Sequence, residues 1–234
     1  MDVNGKKVVL FGGTSGIGLA AAKMLAAEGA EVIAISRDPS KAGALPAGIS
    51  TEACDTTDGA AVEALLAKLA PYDVLISAAT GGDRAVGPFL KMDMAGFQGS
   101  FAKLWGYTNV VRYGADHLPE DGRIVLVSGS PARKTKAGQI AIGSVGGAVE
   151  AFVRGVAPEI APRRINIVSP GTIDTPMVAM EGDARTEFYG NVTKNNLIPR
   201  AGKPEEVAEA IVFAVKNDFI TGTTIDVDGG WLLS

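Results

Sequence analysis

The sequence predicts an α/β fold in which helices cover both faces of a parallel, doubly wound β-sheet. Short apolar runs alternate with longer segments of helical periodicity along the chain, which is the pattern of β–α units in parallel sheets. The first apolar run, residues 8–11, breaks into a glycine-rich turn and then into a helical segment, residues 19–28. With 234 residues, 47% of them hydrophobic, the chain can fill one complete core. We therefore predict a single Rossmann-type domain over residues 1–234.

The glycine-rich turn after the first strand predicts a phosphate site. Unpaired N–H groups and the positive end of the helix dipole meet at a helix start, so a strand–turn–helix unit binds phosphate there. We interpret Gly12 as permitting the tight turn, Gly16 as letting the backbone approach a pyrophosphate, and Gly18 as letting the helix pack closely. The spacing G-x-x-x-G-x-G differs from the usual G-x-G-x-x-G, and a turn that binds nothing is the alternative.

The end of the second strand, residues 31–35, indicates which dinucleotide fits. Ser36 and Arg37 follow it, and a hydroxyl and a guanidinium suit a ribose 2′-phosphate, whereas an acidic side chain would suit a free 2′-hydroxyl. Asp38 is the alternative acidic residue, but we expect it to begin the turn with Pro39. The sequence favours NADP(H) over NAD(H).

Composition and charge argue against several classes of partner. The net charge is −4, with acidic and basic residues interspersed, so we expect neither nucleic acid nor an anionic membrane as a partner. Cys54 is the only cysteine, which excludes an intramolecular disulfide, and we predict no metal site. The first residues have no signal-peptide pattern, and no later segment is expected to approach the length of a membrane span. We expect a cytoplasmic protein.

The remaining elements follow the same alternation. A fourth strand, residues 72–76, ends in small residues, and a helix of about five turns is predicted from Phe97, with Lys103 beside its apolar stripe. A fifth strand, residues 122–127, precedes a glycine- and alanine-rich helix, residues 140–154, whose small face should allow close helix contact. We predict further elements that end the chain: a strand at 165–168, an irregular stretch at 177–196, a helix at 204–215 and a last strand at 223–227.

Together these motifs resemble the short-chain dehydrogenase/reductase family over nearly the whole chain. The glycine-rich turn is similar to that family's T-G-x-x-x-G-x-G loop, with Phe11 in place of the threonine. Residues 54–58 resemble its adenine-contacting aspartate motif, 169–176 its nicotinamide-carboxamide segment and 220–230 its closing strand, and the intervening stretch 200–207 is also similar to that family. The resemblance and the motifs imply cofactor contacts from Gly12, Thr14, Ser15, Gly16, Ile17, Gly18, Ser36, Arg37, Asp55, Thr56, Ala78, Ala79, Pro170, Gly171, Ile173 and Thr175.

The resemblance fails at the family's catalytic signature, a tyrosine, three residues and a lysine on the helix after the fifth strand. Laid on the family pattern, residues 147–154 put Ile142 where the tyrosine belongs and Gly146 where the lysine belongs. Isoleucine cannot donate a proton and glycine cannot hold a ribose. The family's usual mechanism therefore cannot operate unchanged.

The same comparison points to replacement residues. It puts Lys103 in the position of the family's supporting asparagine, and the serine position at or beside Gly129, between Ser128 and Ser130. An ammonium stabilises or protonates a developing alkoxide, so we hypothesise that Lys103 acts with Ser130 or Ser128. The alternative is that Lys103 is a solvated residue packing its stem on the helix. Tyr107, one turn later, is interpreted as a core or interface aromatic.

Two functions from different classes follow. The first is an atypical NADP(H)-dependent oxidoreductase acting on a small-molecule carbonyl or alcohol, with apolar side chains of residues 177–196 as a lid. The second is a cofactor-binding sensor or partner subunit without hydride chemistry. Arg133, Lys134 and Lys136 border the expected cleft and would suit an acidic substrate, or form only a solvated loop. Family members are usually dimers or tetramers, and we expect a homodimer or homotetramer.

Overall fold

The computed structural model describes residues 1–80, 82 and 84–234, which form a layered α/β fold. In this part of the chain seven parallel strands follow the order β3-β2-β1-β4-β5-β6-β7. The strands are β1 (Lys7–Phe11), β2 (Glu31–Ser36), β3 (Ile49–Ala53), β4 (Val74–Ser77), β5 (Arg123–Val127), β6 (Arg164–Pro170) and β7 (Thr224–Val227). The helices are α1 (Gly16–Ala27), α2 (Gly59–Leu69), α3 (Met94–Ser100), α4 (Ala102–Gly114), α5 (Ile140–Ile160), α6 (Gly182–Thr193) and α7 (Pro204–Lys216). The predicted doubly wound parallel sheet is confirmed.

The central strand shows how helices come to cover both faces. Val9 and Phe11 of β1 pack into one core with α2, α4 and α5. Val8 and Leu10 point to the other face and pack with α1 and α7. Both sets are buried, which is why the strand reads as a continuous apolar run. The strand order reverses between β1 and β4, and the carboxyl ends of strands on either side of such a point form a crevice.

The predicted five-turn helix from Phe97 is instead two helices, α3 and α4, which meet at Phe101. The buried face of α4 carries the apolar residues Tyr107, Val110 and Val111, and beside them the small residues Gly106 and Gly114. A Cβ at Gly114 would lie 2.5 Å from the Leu75 side chain, so glycine allows close contact there. Hydrophobic periodicity finds the apolar residues of this face but does not register its glycines.

The prediction that no segment approaches the length of a membrane span is wrong for α5. This helix extends to Ile160, beyond the predicted end at Arg154, and by length and composition it is long and apolar enough to cross a bilayer. Val149 and Val153 are fully buried against the sheet. Helix α5 therefore packs as a core helix of this fold.

Candidate active site

One cavity of about 770 Å³ lies at the carboxyl ends of the central strands. It brings together every residue predicted to contact the cofactor and every residue predicted to be catalytic. Its lining comes from the glycine-rich turn after β1, from the ends of β2 and β3, and from the segments after β4, β5 and β6. Topology thus gathers residues that lie as far apart in sequence as Gly12 and Thr175. Their roles stay predictions, and their shared location is a finding.

The turn after β1 is shaped to receive an anion. Gly12 has φ +78°, and a Cβ there would lie 2.7 Å from the backbone of Ala78, so this position requires glycine. Leu19 N–H makes the first backbone hydrogen bond of α1, to Ser15 O at 3.1 Å. Within the described chain, the N–H groups of residues 16–18 have no acceptor, and these residues line the cavity. The fit to a pyrophosphate is therefore good.

Two of the three residues at the end of β2, Ser36 and Arg37, line the cavity, and Asp38 does not. The buried Ser36 hydroxyl has no hydrogen-bond partner among the described residues, and the exposed Arg37 side chain lies beside it. Asp38 turns away: its carboxylate accepts from the N–H and hydroxyl of Ser40 and pairs with Lys41. The Ser40 hydroxyl and the Lys41 ammonium hold the pKa of Asp38 below its usual range. The interpretation of Asp38 as a turn residue is confirmed.

Asp55 and Asp58 follow β3 and have different roles, one at the cavity and one at a helix start. Asp58 caps α2 by accepting from Ala61 N–H at 3.1 Å. Asp55 lines the cavity, where one carboxylate oxygen accepts from the N–H of Thr57 at 2.9 Å and from its hydroxyl at 2.8 Å. These bonds hold the pKa of Asp55 below its usual value, so the carboxylate stays ionised and oriented.

Lys103 lies on the buried face of α4 and its ammonium reaches the end of β5. Nζ donates to Ser128 O at 3.1 Å and lies 5.5 Å from the centre of the Tyr107 ring. Burial, with a smaller repulsion from Arg84, lowers the pKa of Lys103 to about 7. Lys103 is part-buried, and its ammonium bonds to the protein at the cavity rather than extending into bulk solvent. Tyr107 is 1% exposed and donates to Val127 O at 2.7 Å, as a core residue does.

The two candidate serines flank Gly129 at the cavity wall. Ser128 continues the sheet through its N–H bond to Val168 O at 2.9 Å, and its buried hydroxyl has no partner in the described part of the chain. Ser130 begins a short 3₁₀ turn and is 3% exposed. Both residues line the cavity, as Lys103 does.

Helix α5 contributes apolar and small residues to the cavity lining. Ile142 and Gly146 line the cavity, and the sequence of α5 contains neither tyrosine nor lysine. A Cβ at Gly146 would lie 2.8 Å from the Ala132 side chain, and one at Gly143 would overlap the Thr135 hydroxyl. The small face of α5 thus packs against the loop after β5 of its own chain. The homodimer or homotetramer stays a prediction.

Residues 177–196, predicted to be irregular, contain helix α6. Met177, Val178 and Phe188 line the cavity as expected of a lid, whereas Met180 does not. Arg185 pins this segment: Nε donates to Asp174 at 3.0 Å, and the guanidinium also bonds the carbonyl oxygens of Thr175 and Met180, each at 2.9 Å.

Tyr189 belongs to the predicted lid and also lines the cavity, although its spacing does not mark it as catalytic. Its hydroxyl donates to Ile173 O at 3.4 Å, and burial raises its pKa.

The three cationic residues of the basic loop after β5 differ in their partners and in whether they line the cavity. Arg133 pairs with Glu150 and Asp226, and Lys134 donates to Trp231 O and Ser234 O. Lys136 alone of the three lines the cavity. Sequence analysis did not single out Arg84 or Trp231, whose side chains also line it. No local motif marks them, because separate loops bring them together.

Comparison with known proteins agrees with this geometry. A family model described as enoyl-(acyl carrier protein) reductase matches residues 12–232. The short-chain dehydrogenase/reductase malC of Malbranchea aurantiaca is 31% identical, over 99% of this chain and 96% of its own length. The chain belongs to the short-chain dehydrogenase/reductase family. The resemblance seen in the sequence is confirmed, and with it membership of a family of oxidoreductases.

Two further members of the family are informative. The cyclic-di-GMP-binding biofilm dispersal mediator protein of Escherichia coli K12 is 30% identical over 97% of each chain. A solved small-chain dehydrogenase in complex with NADPH is 29% identical, with a TM-score of 0.84, covering 99% of this chain and 100% of its own. The solved structure is named as a dehydrogenase, whereas the E. coli protein is named for the ligand that it binds.

Proposed function

We propose that this chain is an NADP(H)-dependent oxidoreductase that interconverts a carbonyl and an alcohol, with Lys103 as its acid–base residue. The observation that carries the proposal is the position of the Lys103 ammonium, in the cavity and hydrogen-bonded to Ser128 O. Burial brings its pKa to about 7. A general acid is most effective when its pKa lies near the working pH. Tyr189, whose pKa is raised, suits that role less well.

The described residues fit a dinucleotide with a 2′-phosphate. The free N–H groups of residues 16–18 would hold the pyrophosphate, and Ser36 and Arg37 would hold the 2′-phosphate. The NADPH complex of a similar structure supports this assignment. When bound, the reduced nicotinamide supplies a hydride to the carbonyl carbon.

The protein's own residues manage the carbonyl oxygen. A hydroxyl of Ser128 or Ser130 donates a hydrogen bond to that oxygen and holds it near Lys103. As negative charge develops on the oxygen, the Lys103 ammonium transfers one proton to it, so an alcohol and a neutral amine result. The amine then regains a proton from water. In the reverse direction the neutral amine accepts the alcohol proton.

The deciding experiment compares three variants with the wild type by following NADPH consumption across a panel of aldehydes and ketones. Lys103→Met should lower kcat by about 10²–10⁴-fold, the contribution typical of a general acid, while NADPH affinity is kept. Tyr189→Phe and Lys23→Met, an exposed lysine on α1, should retain most of the activity. Intact turnover in a folded Lys103→Met protein would remove the proposed role of Lys103.

The second candidate is a cofactor-binding protein without hydride chemistry. It is favoured by Ile142 and Gly146, which leave α5 with no proton donor at the cavity. The E. coli relative named for cyclic-di-GMP binding is consistent with a binding role within the family. This candidate predicts tight NADPH binding with no oxidation by any member of the same panel, so one set of assays separates the two functions.

A further inference from the structure

The charged groups of the cavity are distributed unevenly about the central strand. Arg37 and Asp55 follow β2 and β3, on one side of β1. On the other side, the charged lining residues that the structure describes are Arg84, Lys103 and Lys136, all cationic. This second side is where the proposed function places the substrate.

Backbone hydrogen bonds hold the loops of these cations together. Gly87 N–H donates to Gly138 O at 2.8 Å, which ties the segment after β4 to the loop after β5. Ala85 N–H donates to the Ser100 hydroxyl at 2.8 Å, which fixes the first segment to α3. Arg84 and Lys136 therefore reach the same side of the cavity from two loops that contact each other.

The start of α5 adds to the positive potential there. Gln139 precedes this 21-residue helix, lines the cavity, and makes no side-chain cap hydrogen bond. The first turn of the helix contains no acidic residue. The positive end of the helix dipole is thus left for a ligand.

An aromatic ring, that of Trp231, lies against the Lys136 ammonium. This ammonium lies 3.8 Å from the centre of the Trp231 ring, and Lys134 lies 4.4 Å from the same centre. Lys134 is also bound by carbonyl oxygens, including Trp231 O at 2.9 Å. Lys136 pairs with no carboxylate among the described residues. The ring thus positions the exposed Lys136 ammonium at the cavity without supplying an anionic partner.

We propose that Arg84 and Lys136 form an anion subsite that holds a carboxylate or a phosphate ester of the substrate while its carbonyl lies at Lys103. This inference rests on the proposed oxidoreductase function for the carbonyl, but the subsite itself requires only binding. Like charges gathered in one cavity repel each other, and an anion between them relieves that repulsion. The proposal therefore names the substrate class as an anionic carbonyl compound.

Matched aldehydes test the subsite. The probes are 4-carboxybenzaldehyde, 4-formylphenyl phosphate and the uncharged 4-formylbenzamide. The wild type should show a KM about tenfold lower for a charged probe than for the amide, the gain expected of charge-assisted hydrogen bonds. Lys136→Gln should remove most of that advantage without changing the KM of the amide, and Arg84→Gln should also remove most of it. Lys23→Gln is the matched control on an exposed lysine. The charged probe that is preferred identifies the anionic group.

A binding measurement separates this proposal from the proposed reaction. In a Trp105→Phe background, Trp231 is the only tryptophan, and 4-carboxybenzyl alcohol should quench its fluorescence saturably while 4-(hydroxymethyl)benzamide should not. Lys136→Gln should abolish the quenching. Selective quenching without any turnover would support the subsite and contradict the oxidoreductase. Turnover with equal KM for charged and uncharged probes, and no selective quenching, would overturn the subsite alone.

Discussion

The Lys103 ammonium donates a hydrogen bond to the backbone carbonyl oxygen of Ser128, with 3.1 Å between the two atoms. This bond joins the first turn of α4 to the residue that follows β5. The Ser128 hydroxyl is buried and has no partner among the described residues, and both Lys103 and Ser128 line the cavity. A proton donor and a hydrogen-bond donor are therefore adjacent, although 25 positions separate them in the sequence.

The first prediction concerns the pH dependence of turnover. Since burial sets the pKa of Lys103 to about 7, carbonyl reduction, which needs the ammonium, should fall as pH rises through that value. Alcohol oxidation, which needs the neutral amine, should rise over the same range. Arg84→Gln removes a neighbouring positive charge and should move both midpoints upward. Steady-state rates from about pH 6 to about pH 9 provide the measurement, and flat profiles in both directions would contradict the assignment.

The second prediction concerns stability. The folded-state pKa of Lys103 is lowered from 10.5 to about 7, so below pH 7 the folded protein must bury an ammonium at full cost. That cost declines as pH rises from about 7 towards about 10.5, where the unfolded chain also loses its proton. Lys103→Met should therefore raise the melting temperature, and by more at pH 6 than at pH 9. Calorimetry beside Lys23→Met checks this; an equal change at both pH values would show that the ammonium is not buried.

The third prediction concerns cofactor preference. Arg37→Gln removes the guanidinium at the end of β2 and should weaken NADPH binding by about tenfold, the loss typical of a charge-assisted hydrogen bond, with little effect on NADH. Ser36→Asp should go further and favour NADH, because a carboxylate repels a 2′-phosphate. Titration of each cofactor by calorimetry gives the dissociation constants. A parallel loss for NADH and NADPH in Arg37→Gln would count against a 2′-phosphate site.

The fourth prediction concerns the lid. Arg185→Met removes the bonds to Asp174, Thr175 and Met180 and should let α6 open more readily. We expect the substrate KM to rise several-fold and proteolysis within residues 177–182 to become faster. Arg200→Met, which removes an exposed ion pair with Glu206 away from the cavity, is the control. Unchanged KM and proteolysis in Arg185→Met would mean that the guanidinium does not hold the lid.

Features encoded by contiguous residues could be predicted from the sequence. The glycine-rich turn, the groups at the end of β2 and the turn at Asp38 depend on neighbours within a few positions, so their chemistry is visible in the sequence. Lys103 was found by resemblance, but its burial was not predicted. Its contact with Ser128 O is made across 25 positions of the chain, and a local pattern does not register such a contact.

The sequence by itself determined the fold class, the family and the residues of the glycine-rich turn after β1. Alternating elements and a local turn can be recognised because they depend on residues close together in the chain. Tertiary structure alone decided which cations share a cavity and which are paired elsewhere. Lys136 lines the cavity while Arg133, three positions earlier, pairs with Glu150 and Asp226. The physical reason is that burial and charge pairing depend on segments distant in the chain, which only the packed sheet brings together.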